Sequence, residues 1–80
     1  MMELEIIRPL SKQEYTIAWI ELNTSHGNFV IQPDHSPMVL VLSPHSSCTF
    51  CLSNGKQELI EVERAIAEVT RKKITILVSQ

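Results

Sequence analysis

The sequence predicts an all-β fold, a small sandwich or barrel of short, mostly antiparallel strands. Three observations carry this expectation. Apolar runs of strand length recur at residues 29–31, 39–42 and 49–52, rich in β-branched or aromatic side chains. Clusters of turn-forming residues separate them, the longest being Asn23, Thr24, Ser25, His26, Gly27 and Asn28. Ser53-Asn54-Gly55-Lys56 is a hairpin signal, because Asn-Gly tolerates the positive φ values of a type I′ turn.

The elements follow in order. Leu4 and Ile6 belong to a first strand that Pro9 ends, since proline gives no N–H to a ladder. Tyr15, Ile17 and Trp19 alternate with Thr16, Ala18, Ile20 and Leu22, so the second strand is apolar on both faces. The polar cluster reverses the chain before Phe29, Val30 and Ile31 resume an extended pattern. Pro33-Asp34 suits the centre of a type I turn, with φ preset by proline. Residues 39–42 read as a buried strand ahead of Pro44, and residues 49–52 as the strand that enters the Asn-Gly hairpin. Residues 57–70 are ambiguous. Leu59, Val62, Ile66 and Val69 recur at steps of three and four among Glu58, Glu61, Glu63, Arg64 and Glu68, as on an amphipathic helix, whereas Ile60 and Val62 alternate as in a strand.

Composition narrows the function classes. Eighty residues make one domain, 1–80, whose stability is marginal unless a partner braces it. A net charge of −2 with mixed signs leaves no electrostatic footprint for nucleic acid. The acids of Met1-Met2-Glu3-Leu4-Glu5 do not fit a secretory signal, and the longest apolar run, residues 38–42, falls far short of the ~20 residues that span a bilayer. A soluble, intracellular protein is expected, with room for attachment beside a membrane.

His45, Cys48 and Cys51 form a His-x-x-Cys-x-x-Cys array, which raises the possibility of a small thiol or zinc protein. A structural zinc site needs four ligands, and His35 and His26 lie in a different loop. On one strand, Cys48 and Cys51 point to opposite faces, which argues for packed thiols and against a metal or redox pair. No nucleophile, base and orienting acid converge, and Gly55-Lys56-Gln57 lacks the rest of a phosphate loop. No catalytic residue, cofactor, metal or nucleotide site is expected. Trp19 reads as core or as an interface anchor, and His35 as a turn histidine bonded to backbone or as a contact residue.

Residues 27–38, Gly-Asn-Phe-Val-Ile-Gln-Pro-Asp-His-Ser-Pro-Met, resemble the signature loop of the N-terminal β-sandwich domain of the F-type ATP synthase ε subunit. Gly27, Phe29, Ile31, Pro33, His35, Ser36, Pro37 and Met38 fall on that pattern. Asn28 stands where the family usually has an acid, and Val30 and Asp34 where it has glycine. The opening residues 2–9 resemble its first strand, and Glu68-Val69 with residues 73–78 its last; the family's C-terminal helical hairpin has no counterpart here.

The resemblance implies a small two-sheet β-sandwich, with strands rather than a helix over 57–70, although the family's Gly-Gly kink is replaced by Arg64-Ala65. It further implies a non-catalytic rotor subunit of the central stalk, coupling the γ subunit to the c-ring on the cytoplasmic side of a bacterial or organellar energy-transducing membrane. Arg8, His35, Ser36, Pro37 and Met38 would face γ. Asn23, Thr24, Ser25, His26, Gly27, Asn28 and Phe29 would face the c-ring. A free-standing interaction module on the same fold is the alternative, with the thiol or zinc protein behind it.

Overall fold

The computed structural model describes residues 1–79. Eight strands form along them: β1 Met2–Arg8, β2 Ser11–Thr24, β3 Gly27–Ile31, β4 Met38–Val41, β5 Ser46–Leu52, β6 Gln57–Val62, β7 Ala65–Val69 and β8 Lys73–Val78. They hydrogen-bond in the order β4-β7-β8-β1-β2-β5-β6, with β3 also on β2. Among the described residues the pairings are antiparallel except that of β1 with β8, which is parallel and ties the two ends of the chain together. The all-β architecture of short, mostly antiparallel strands is thus as the sequence predicts.

One strand makes the sandwich. Residues 11–17 of β2 pair with β1, while residues 20–24 pair with β3 and residues 17–21 with β5. Between Ile17 and Trp19 the register against β5 slips, leaving Ala18 as an extra residue. A bulge of this kind bends its strand and steepens the twist. Here it carries β2 from one layer (β1, β8, β7, β4) into the other (β3, β5, β6), so the two sheets are continuous through it and curl over a shared core. Beyond β4 the chain stitches the layers at one end. Leu42 N–H donates to the Ala65 carbonyl at 3.0 Å, Ser43 N–H donates to the Asn23 carbonyl at 2.8 Å, and Leu42 bridges Thr24.

Leu4, Ile6, Ile74, Ile76, Ala67 and Val69 from one layer meet Ile20, Leu22, Ile31, Cys48 and Phe50 from the other in a single buried cluster. Tyr15 and Phe50 cross between them, with ring centroids 4.9 Å apart and a tilt of 50°. Trp19 is half-buried outside this cluster, opposite Cys51.

Four local expectations are resolved or revised. Residues 57–70 are two strands joined at Glu63-Arg64, and the helical stripe dissolves because Val62 and Val69 point inward while Leu59 and Ile66 point outward. Residues 39–42 do not form a buried strand. β4 lies at a sheet edge with Val39 and Val41 exposed, and of that run only Leu42 is fully in the core. Asp34 has φ 66°, and His35 N–H donates to the Gln32 carbonyl at 3.3 Å, so Pro33-Asp34 occupies a type II turn in place of type I. The Asn-Gly hairpin is not type I′ either. Only Gly55 has positive φ, at 92°, its N–H bonds the Leu52 carbonyl at 2.9 Å, and Leu52 N–H bonds the Lys56 carbonyl at 2.7 Å. This is a three-residue loop, a type I turn followed by a left-handed glycine.

Candidate functional site

The polar cluster becomes the tip of the β2–β3 hairpin, and its side chains hold it in shape. Thr24 Oγ1 donates to the Gly27 carbonyl at 3.0 Å and accepts from His26 N–H at 3.1 Å. Asn28 Nδ2 donates to Asn23 Oδ1 at 2.8 Å, while Asn23 Nδ2 donates to the Ser47 carbonyl at 2.9 Å and anchors the tip to β5. Gly27 turns the chain at φ 124°, a region side chains rarely enter. Ser25, His26, Gly27 and Asn28 are exposed, and Phe29 packs half-buried against the core. The result is an ordered polar knob.

The second loop, residues 32–37, lies at the other end of β3, beside the chain's start. Asp34 N–H donates to the Arg71 carbonyl at 2.8 Å, and Arg71 Nη1 returns a bond to the Asp34 carbonyl at 3.3 Å, tying the loop to the β7–β8 turn. His35 Nδ1 lies 2.9 Å from the Ser36 carbonyl, so this nitrogen donates and Nε2 is left for another partner. Ser36 and Pro37 are exposed, whereas Met38 opens β4 and packs on the core.

The structure therefore brings His35, Ser36, Pro37 and Met38 together but sets Arg8 apart from them. Arg8 ends β1 beside Ser25, Ser43, Pro44 and Arg64, at the end that carries the hairpin tip. A γ-facing set that includes Arg8 would have to run the length of the sandwich. The array of His45, Cys48 and Cys51 does not converge. Cys48 lies in the core, where burial pushes its thiol up to about 11, and Cys51 faces the other way with Sγ 3.5 Å from the Leu52 carbonyl. His45 sits exposed in the loop before them at φ 52°. Among the described residues no three His, Cys, Asp or Glu side chains could hold one metal ion.

One polar feature escaped sequence reasoning. Glu5, only 7% exposed, bonds Lys12 Nζ at 2.9 Å and Lys73 Nζ at 3.3 Å, pinning β1 to both of its neighbours. The Lys12 ammonium, opposed by some desolvation and helped by Lys73, holds the Glu5 carboxyl below its ordinary value of 4.5. Position five alternates with the inward Leu4 and Ile6, which marks it as outward. Nothing in sequence shows that Lys73 arrives beside it from the far end of the chain.

Comparison with known proteins agrees with this architecture. The model of the family described as ATP synthase, Delta/Epsilon chain, beta-sandwich domain matches residues 1–80. No curated protein matches by sequence. A chain of the Euglena gracilis mitochondrial ATP synthase structure containing OSCP, F1 and the c-ring superposes with a TM-score of 0.87 at 19% identity, covering 96% of this chain and 49% of that one. A chain of the Tetrahymena thermophila mitochondrial ATP synthase central stalk and c-ring gives a TM-score of 0.82 at 15% identity, covering 99% and 63%. The present chain thus spans about half to two thirds of those longer chains, and at such identities the likeness is one of fold. A family model matched from end to end and a curled two-layer sheet to go with it lead to one conclusion: this chain belongs to the ATP synthase delta/epsilon chain β-sandwich domain family.

Proposed function

We propose that the chain is one domain acting as a non-catalytic rotor subunit of the central stalk of an F-type ATP synthase, coupling γ to the c-ring. The observation that carries this reading is the family match over residues 1–80. The geometry supports it. A sheet curled on itself with a packed core resists shear, and its two loop-bearing ends can engage two bodies at once. The hairpin tip of Asn23, Thr24, Ser25, His26, Gly27, Asn28 and Phe29 meets the polar loops of the ring. His35, Ser36, Pro37 and Met38 meet γ, with Arg8 reaching it from the opposite end. Attachment is peripheral, on the cytoplasmic side of a bacterial or organellar energy-transducing membrane; among the described residues no helix is long and apolar enough to cross one.

The test is purification of the tagged chain from its native membranes. Stoichiometric recovery of γ and the c-ring is the expected result, and hairpin-tip variants such as Ser25→Arg lose the ring while keeping γ. Recovery of neither partner from membranes that contain an assembled synthase would overturn the reading in favour of a free-standing module.

A further inference from the structure

β6 is hydrogen-bonded on one side only. It stands last in the strand order and pairs with β5 alone. The ladder between them starts where Leu52 N–H donates to the Lys56 carbonyl, so the even residues of β6 bond to β5. The N–H and carbonyl groups of Gln57, Leu59 and Glu61 therefore point to the open side. The strand runs for 6 residues, or ~20 Å, the length of an ordinary strand. β3 and β4 also have open sides, but Pro33 follows β3, and Pro37 and Pro44 bracket β4, whereas no proline adjoins β6.

The side chains along this edge specify what would pair with it. Leu59 is 59% exposed on the outer face, between the exposed Gln57 and Glu61. Ile60, on the inner face, is half-buried against the core and has no strand beyond it on the open side. Apolar residues set beside these two would cover Leu59 and extend the core past Ile60. The charges are one-sided. Among the described residues Glu61 and Glu63 belong to no ion pair, and Glu58 reaches only Lys56 Nζ, at 3.9 Å. Two copies of this edge would crowd their carboxylates together, which disfavours self-pairing, whereas a strand carrying lysine or arginine is drawn to them.

We propose that the open edge of β6 takes an extended basic segment of a partner polypeptide as an added strand, apolar beside Leu59 and Ile60 and basic beside Glu58 and Glu61. Backbone hydrogen bonds to Gln57, Leu59 and Glu61 supply affinity, and the alternating side-chain contacts supply selectivity. The proposal goes beyond the central-stalk reading, and this edge carries none of the residues that face γ or the c-ring there.

The probe is a capped peptide, Val-Lys-Val-Val-Lys-Thr, which in antiparallel alignment sets its central valines beside Ile60 and Leu59 and its lysines beside Glu61 and Glu58. The control has glutamate in place of both lysines. Titrated into the isotope-labelled chain, the lysine peptide is expected to shift the amides of β5 and β6 and to slow hydrogen exchange at Leu59 and Glu61. It should bind about tenfold more tightly than the control, the effect of turning two exposed attractions into repulsions. N-methylation of the second and fourth peptide residues, whose N–H groups face β6, abolishes binding, whereas methylation of the third and fifth does not. Glu58→Lys with Glu61→Lys reverses the charge preference. Leu59→Pro removes an N–H that takes no part in the β5 ladder, so it abolishes binding with circular dichroism unchanged. No saturable binding of either peptide, equal affinities, shifts centred on β3 or β4, or indifference to N-methylation would overturn the proposal. So would concentration-dependent protection of Leu59 without peptide, which would mean that a second copy pairs there. None of these outcomes alters the recovery of γ and the c-ring in the purification, so the two readings fail separately.

Discussion

Asp34 shows how one residue records a backbone demand. Its φ of 66° lies in the left-handed region, which costs a side chain of L configuration roughly 1–2 kcal/mol, less for aspartate and asparagine. Both of its backbone bonds to the Arg71 segment survive loss of the side chain. Asp34→Gly should therefore stabilise the chain, by about 0.5 kcal/mol once the greater freedom of glycine in the unfolded state is subtracted. At this size that raises the melting temperature by ~2–4 °C in a calorimetric scan. Asp34→Val should lower it. The Glu5 cluster makes a second residue-scale prediction. Because the folded state holds the Glu5 carboxyl below its ordinary value of 4.5, its contribution is present above that pH and lost as pH falls through the lower folded value. Lys12 is shifted upward by the same Glu5 contact, so its share persists until pH rises past 10.5. Urea unfolding of the parent and of Glu5→Gln should differ at pH 7 and converge in acid. A gap that stays constant down to pH 2 would show that the ion pairs contribute nothing.

Strand periodicity and helix periodicity compete over residues 57–70, and burial decides between them. On a helix, Val62 and Ile66 would share one buried stripe. As strands, Val62 is 2% exposed on the inner face while Ile66 lies on the outer. Val62→Ala should accordingly cost ~1–3 kcal/mol in denaturant unfolding, and Ile66→Ser less than ~0.5 kcal/mol. Similar costs at the two sites would contradict the assignment. Hairpin β5–β6 gives a parallel case. Gly55→Ala forces a side chain into φ 92° and should cost ~1 kcal/mol or more, although open space surrounds the position. No measurable loss on Gly55→Ala would contradict a left-handed residue at this position.

At the scale of the whole molecule, β2 belongs to both layers and β8 closes the sheet onto β1, so neither half has a complete core alone. Unfolding should be a single cooperative event. Fluorescence of Trp19, near the Ala18 bulge, and far-ultraviolet circular dichroism should trace coincident transitions in urea. Separated midpoints would mean that the layers melt independently. The sequence by itself determined the all-β class, the hairpin positions and the opposed faces of Cys48 and Cys51. Alternation and turn chemistry are local, and a period of two fixes which way each side chain points once a strand is granted. It also carried the motif pattern that placed Gly27 and the proline-histidine loop. Only the tertiary structure decided that residues 57–70 are strands, that β4 is an exposed edge, that Glu5 meets Lys73, and that β6 is left with one side unpaired. Each of these depends on which strand lies next to which, and that is set by long-range pairing between segments far apart in the chain.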